Sequence, residues 1–285
     1  NILNQRIQGV KPSGIRKFFD ILEEMTDAIS LGIGEPDFVT PWHIRDAGIY
    51  SLERGHTKYT SNAGLLQLRR EIAAYLNRRF DLQYDYAHQI VVTVGGSEGI
   101  DLALRCLLNP GDEVIIPTPS FVCYGPLTEM AGGVPKYLEL KVENKFRLTP
   151  EELRAAITPN TKVLVLPFPC NPTGGTMDRQ DLEAIAQVLE GTDIMVLSDE
   201  IYAELTYGQR HVSPANLTSR GRPLLQEPPH HPQAHGLCVR AGARYPADAE
   251  AAPVRHHVRP HHQPVCRCRS HAQRRPGHRA YAGGV

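Results

Sequence analysis

Four short apolar runs constrain this chain more than any other feature: IVVTV (90–94), VII (114–116), VLVL (163–166) and IMVL (194–197). None alternates apolar with polar residues. A strand with one wetted face alternates, whereas a strand covered on both faces reads as a continuous apolar run, as in parallel sheets. Helical patterns lie between the runs. GLLQLRREIAAYLNRRF (64–80) puts Leu65, Leu68, Ile72, Leu76 and Phe80 on one stripe, with its four arginines mostly off it, on a solvated face. SEGIDLALRCLL (97–108) offers Ser97 as an N-cap. TPEELRAAI (149–157) carries a capping box, with Thr149 as cap, Pro150 first in the helix and Glu152 three residues on. DRQDLEAIAQVL (178–189) repeats helical spacing at Leu182, Ile185 and Leu189. Earlier, AISLGIG (28–34) is a short apolar run ending in glycines. Strand–helix–strand repetition predicts an α/β fold with a mostly parallel sheet, flanking helices and right-handed crossovers.

A chain of 285 residues, 41% hydrophobic with mean hydropathy −0.32, is long enough for a sizeable core and reads as soluble and globular. It has no apolar run long enough to span a bilayer. Its first residues, NILNQRIQGVKPSG, hold no apolar signal core, so a cytoplasmic protein is expected; the missing initiator Met points to a fragment or a processed start. Cys106, Cys123, Cys170, Cys238, Cys266 and Cys268 form no paired framework, which suits a reducing compartment.

Ligands of open parallel sheets bind at the carboxyl ends of the strands, so the residues just after each run carry the most information. After IVVTV comes GGSEG (95–99), opening a helix. Its exposed N–H groups and the helix dipole would suit an anion, most naturally phosphate; alone, it is equally an ordinary strand-to-helix turn. After VII comes PTPSFVCY, where Phe121 could stack on a flat ring or simply sit in the core. After VLVL comes PFPCNPTGG (167–175), whose prolines hold Asn171 in a rigid loop with its amide available to a ligand oxygen. After IMVL comes SDEIYAEL (198–205), with Asp199 at the end of a buried strand, where an acid is expensive unless paired, and Tyr202 three residues on. A carboxylate, a phenol, an aromatic ring and an anion loop at neighbouring strand ends describe a site for a phosphorylated heteroaromatic ring.

Residues 13–217 resemble the class I/II aminotransferases, pyridoxal-phosphate enzymes of fold type I, close to the aspartate, aromatic and N-acetyl-diaminopimelate aminotransferase group. The likeness is carried by SLGIGEPDF, KYTSNAG, VTVGGSEGIDLAL, LNPGDEVIIPTPSFVCY, PCNPTGG and LSDEIYAEL, in that order. The resemblance implies pyridoxal 5'-phosphate as cofactor, amino acid and 2-oxo acid substrates and a homodimer, with neither nucleic acid nor membrane as partner. It implies that Asp199 pairs with the pyridine nitrogen, that Tyr202 and Asn171 hydrogen-bond the ring's phenolic oxygen, and that Phe121 stacks on the ring. Gly96, Ser97 and Glu98 would hold the phosphate, chiefly through backbone N–H groups. Tyr59 would reach the phosphate of a partner subunit's cofactor, and Gly34 would offer its N–H to the substrate carboxylate. It implies cis peptide bonds before Pro119 and Pro172. It divides the chain into an N-terminal arm with a segment of the small domain (1–45), an incomplete cofactor-binding large domain (46–217) and a dissimilar tail (218–285), the C-terminal small domain being missing. The same scaffold runs carbon–sulfur β-lyases, and a non-catalytic binding protein with a basic tail is a further alternative.

The pattern breaks at one place. In the family a Schiff-base lysine follows the Asp-x-x-Tyr, in a Ser-Lys context. The lysines here are Lys11, Lys17, Lys58, Lys136, Lys141, Lys145 and Lys162, all before Asp199. No catalytic lysine can be assigned, and a chain without one is expected to be inactive or nearly so. Composition changes at the same point. Residues 219–285 hold eleven Arg, three acids and nine of the thirteen His, and contain no Lys, Ile, Phe, Met, Thr or Asn. Three readings compete: a His/Cys metal module, though its spacing matches no regular zinc pattern; a basic disordered arm for nucleic acid; or a gene read out of frame. The third has an internal check. Shifting the phase by one base lets Leu224–Glu227 encode Phe-Ser-Lys and His235–Val239 encode Met-Gly-Tyr-Val, both at the family's spacing, although Gly-Trp just before is not allowed.

Overall fold

The computed structural model describes residues 2, 4–10, 39–217, 224–227 and 237–240. The run 28–34, Gly34 and most of the Arg/His-rich tail lie outside these described residues. Seven strands form one sheet: β1 (Ile90–Val91), β2 (Glu113–Thr118), β3 (Val134–Glu139), β4 (Thr161–Leu166), β5 (Met195–Asp199), β6 (Leu224–Glu227) and β7 (Leu237–Arg240), in the order β1-β7-β6-β5-β4-β2-β3. The pairs β2–β3, β2–β4, β4–β5 and β5–β6 are parallel; β7 runs antiparallel to both β6 and β1. The helices are α1 (Gln5–Gly9), α2 (Trp42–Glu53), α3 (Leu66–Phe80), α4 (Gly96–Leu107), α5 (Tyr124–Ala131), α6 (Pro150–Ala156) and α7 (Arg179–Val188).

The continuous apolar runs have the predicted cause. Alternate residues of a strand face opposite sides of a sheet. Val114, Ile116, Val163, Val165 and Leu197 pack with Ile100, Ala103 and Leu104 of α4 and Tyr124 of α5. Ile115, Leu164 and Leu166 pack the other way, with Leu153 of α6 and Leu182 and Ile185 of α7. With both faces covered, no strand position can be polar at no cost, so the runs cannot alternate. Each fully buried Leu or Ile contributes roughly 1.5–3 kcal/mol of burial. A third cluster joins Ile72, Leu76 and Phe80 of α3 to Ile90, Ala203 and Ala215.

Several local expectations need correction. Ser97 is not the N-cap of α4: Gly95, at φ 82°, takes that position, which a residue with a Cβ adopts only under strain. Leu65 and Leu68 stay exposed, and the α3 stripe is buried only from Ile72 onward. Arg69 is buried rather than solvated, because its guanidinium donates to the carbonyls of Tyr86 and Ala87, both at 2.9 Å. The strand at 90–94 shortens to Ile90–Val91, while β2, β4 and β5 extend beyond the apolar cores of their runs. The capping box at Thr149 and Glu152 is present, and Asp178 and Asp181 form another at the start of α7. The tail boundary drawn after residue 217 does not bound the sheet, since β6 and β7 lie beyond it and extend the sheet from β5 to β1.

The topology fixes where a site can form. From β2 the chain moves outward to β3, then returns to the other side of β2 to lay down β4 and β5. Such a reversal opens a crevice at the carboxyl ends of the strands.

Candidate active site

A cavity of about 260 Å³ lies at that end of the sheet, lined by Gly95, Gly96, Ser97, Phe121, Tyr124, Pro167, Pro169, Asn171, Asp199 and Tyr202, with Ile100 and Ile201. The turn from β1 into α4 supplies the glycines and Ser97, the segment from β2 into α5 supplies the aromatics, and the loop after β4 supplies Asn171. Asp199 ends β5 itself.

Asp199 is 6% exposed. It shares the parity of Leu197, so it emerges on the α4/α5 face. Its Oδ2 accepts a hydrogen bond from the Tyr124 hydroxyl at 2.6 Å, and its Oδ1 accepts from the backbone N–H of Ile201 at 3.2 Å. A buried carboxylate needs such donors. The ring of Tyr124 meets Phe121 edge to face, with centroids 6.1 Å apart. Across the cavity, Asn171 Nδ2 lies 3.4 Å from the Tyr202 hydroxyl. The loop that presents Asn171 is closed on itself, with Gly174 N–H bonded to Cys170 O at 2.8 Å and Cys170 N–H to Gly175 O at 2.9 Å. Cis bonds precede Pro119 and Pro172 as expected, and a third precedes Pro169. Cys170 lies under this loop; burial pushes its thiol pKa up, and the nearby Asp199 adds to the effect.

At the start of α4 no side chain caps the helix. Gly96 and Ser97, the first residues of the helix, line the cavity, an arrangement whose N–H groups could receive an anion. Glu98, expected to act chiefly through its backbone N–H, is not among the residues lining the cavity, and its carboxylate accepts from the N–H of Val94. Asp199, Tyr202, Asn171, Phe121, Gly96 and Ser97 are thus brought together. Tyr59 is not among them; it is 83% exposed on the surface. Gly34 falls outside the described residues.

Tyr124 is the residue that the sequence reading missed. Its signal was its spacing three residues after Phe121, which turns both rings to one side where a helix begins. No group of three or more His, Cys, Asp or Glu that could hold a metal occurs among the described residues. Among them, too, no helix is long and apolar enough to cross a membrane.

Residues 26–238 match the family Aminotransferase class I and II. The match runs past the composition break and includes β6. The chain is 49% identical over 215 residues to the Bacillus subtilis protein YugH, covering 75% of this chain and 56% of YugH. It is 43% identical over 216 residues to an aspartate aminotransferase of Pyrococcus abyssi, again 75% of this chain and 56% of the relative. In structure it is similar to the aspartate aminotransferase from Thermus thermophilus with maleate, at TM-score 0.76 and 34% identity, over 84% of this chain and 65% of that one. The chain therefore spans little more than half the length of these curated relatives. The sheet and its helices are those of fold type I aminotransferases. With most of its residues matched by the family and its sheet shared with a solved aminotransferase, the chain belongs to the class I and II aminotransferases.

Proposed function

We propose that this chain is the cofactor-binding part of an aminotransferase that moves an amino group from an L-amino acid to a 2-oxo acid, and that the chain as it stands binds pyridoxal 5'-phosphate without transaminating. Family members use that cofactor. The observation that carries the reading is Asp199, a buried carboxylate at the end of β5, held by Tyr124 and facing a cavity whose rim offers helix N–H groups.

The residues fit the group. Asp199 would accept the pyridine N–H, a charge-assisted bond. Phe121 would cover one face of the ring, and Asn171 and Tyr202 would donate to its phenolic oxygen. The N–H groups of Gly96 and Ser97 would receive the phosphate. Bound there, the cofactor supplies a protonated ring that draws electron density from a substrate Cα. Tyr124 would keep Asp199 oriented beneath the ring nitrogen. Moving the Cα proton needs a base at the cavity mouth, and no lysine follows Asp199 anywhere in the sequence. A reading-frame change near residue 218 accounts for both the missing lysine and the change in composition.

The test is to add pyridoxal phosphate, reduce with borohydride and map adducts by mass spectrometry, alongside equilibrium dialysis. Reversible, near-stoichiometric binding that Asp199→Ala abolishes is expected, with no stoichiometric adduct at any one lysine and no product from L-amino acids and a 2-oxo acid. A specific lysine adduct, or turnover, would overturn the claim of inactivity. Equal binding by wild type and Asp199→Ala would overturn the site. The nucleotide sequence across residues 213–240 tests the frame change: one inserted or deleted base is expected.

A further inference from the structure

We propose that Glu200 and His211 are positioning residues for Asp199, acting on it from the opposite face of β5. This rests on the cofactor reading above. Glu200, just after β5, is 1% exposed, and its partners Ser198 and His211 gather with Leu166 and Leu182, which belong to the face of the sheet away from the cavity. Three donors converge on its two oxygens: Ser198 Oγ and Ser213 Oγ each at 2.9 Å from Oε1, and His211 Nε2 at 2.7 Å from Oε2. A His ring N–H can donate to a carboxylate oxygen, which fits the contact of His211 Nε2 with Oε2. His211 in turn packs edge to face on Phe80 at the end of α3, with centroids 6.0 Å apart. Ser213 also accepts from the N–H of Ala215 at 3.2 Å, which closes the turn that follows.

The alternation of β5 makes this cluster act on the active site. Ser198 and Glu200 flank Asp199 in sequence and point away from the cavity; Asp199 points into it. Glu200 is pinned directly to the segment 211–215, which itself leans on α3, and Ser198 is tied to the same anchor through Glu200 Oε1. Twisting the backbone at Asp199 would therefore disturb a buried carboxylate held by three hydrogen bonds, and such a satisfied network rigidifies the segment that carries it. On the other face, Tyr124 fixes the carboxylate itself. Asp199 is held from behind by its neighbours and from the front by its donor. Neither Glu200 nor His211 lines the cavity, so their effect on a bound ring passes entirely through Asp199.

The test uses the full chain with ring-15N-labelled pyridoxamine 5'-phosphate, which has no aldehyde and needs no lysine. The pH is set where the free compound's ring nitrogen is unprotonated. In the wild type the bound nitrogen should resonate at the protonated position. His211→Leu should shift it toward the unprotonated position, and His211→Gln, whose amide can donate to Glu200, should restore it. Leu153→Ala in α6 should lower the melting temperature and leave the resonance in place. If His211→Leu does not fold, Ser213→Ala, which removes one donor and no charge, should give a smaller shift in the same direction. An unmoved resonance in His211→Leu or Ser213→Ala would sink the proposal, as would an equal shift in Leu153→Ala. A wild type that does not bind, or that binds with its nitrogen unprotonated, would overturn the cofactor reading and this proposal with it.

Discussion

Replacing Tyr124 with Phe separates two roles that a simple deletion would merge. The ring is buried and packs beside Phe121 and Ile100, and Phe preserves that packing. What is lost is one hydroxyl donating to Asp199 Oδ2 at 2.6 Å. A hydrogen bond to a charged group contributes about 1.5–3 kcal/mol. For a protein of this size each kcal/mol moves the melting temperature by about 2–4 °C, so Tyr124→Phe should melt about 3–12 °C lower than wild type. The slope of a urea titration should not change, because the surface exposed on unfolding is the same. Cofactor binding should change less. With one donor removed, the Asp199 carboxylate is less neutralised, which favours a pyridinium N–H, and also less firmly oriented, which opposes it, so affinity for pyridoxamine phosphate should fall far less than when the charge is removed. Asp199→Asn, which removes the charge itself, should weaken binding about ten- to a hundredfold. Thermal melts, urea titrations and equilibrium dialysis on the same samples measure all three quantities. The reasoning fails if Tyr124→Phe melts like wild type. It fails equally if Tyr124→Phe loses as much affinity as Asp199→Asn, since the hydroxyl would then be a ligand to the cofactor rather than a partner of the acid.

Three further outcomes follow from the packing and the charges. Leu164→Ala in the centre of β4, where the side chain is wholly buried, should lower unfolding stability by about 2–5 kcal/mol in urea titrations. Thr149→Ala should lower it by about 1 kcal/mol, because the N–H of Glu152 loses its acceptor at the start of α6. Glu204 accepts from Arg79 Nε at 2.7 Å and from the Tyr75 hydroxyl at 2.6 Å. The hydrogen bonds from Arg79 hold its carboxyl below the usual range, opposed in part by burial. A folded-state pKa that is lowered gives stability present above the unfolded value and lost as pH falls through the folded one. The stability gap between wild type and Arg79→Met should therefore be constant at neutral pH and close below about pH 4.

What the sequence disclosed, it disclosed through local physics. The runs at 114–116 and 163–166 were readable because both faces of those strands are covered, which leaves no polar position. β3 was not: its sequence VPKYLE lies at the sheet edge, mostly exposed, with a proline and a lysine that suit an edge and mask a strand. Arg69 looked like surface because a guanidinium off an apolar stripe usually is; its burial depends on the carbonyls of Tyr86 and Ala87, which only the fold supplies. Asp199 was legible because an acid ending an apolar run is costly on its own. The spacing of Tyr124 from Phe121 could place its ring beside the site, but its bond to Asp199, like that of His211 to Glu200, was not legible, because each meets its partner across the fold rather than at a helix or strand period.

The same distinction explains how residues beyond the composition break can extend the sheet while, on the proposed reading, the chemistry stays incomplete. Pairing along β5 uses backbone N–H and C=O groups, which every residue except proline offers alike. Leu224–Glu227 can therefore lie parallel to β5 with Glu227 in register with Asp199, whatever side chains that segment carries. Moving a proton at a substrate carbon depends instead on one side chain of the right kind at the cavity mouth. On the proposed reading, the sheet tolerates the change of composition at Thr218 and the reaction does not. A chain of this kind is then expected to keep the cavity, the buried acid and its affinity for a pyridinium ring, and to lose turnover. Binding and catalysis should separate cleanly in the reduction experiment.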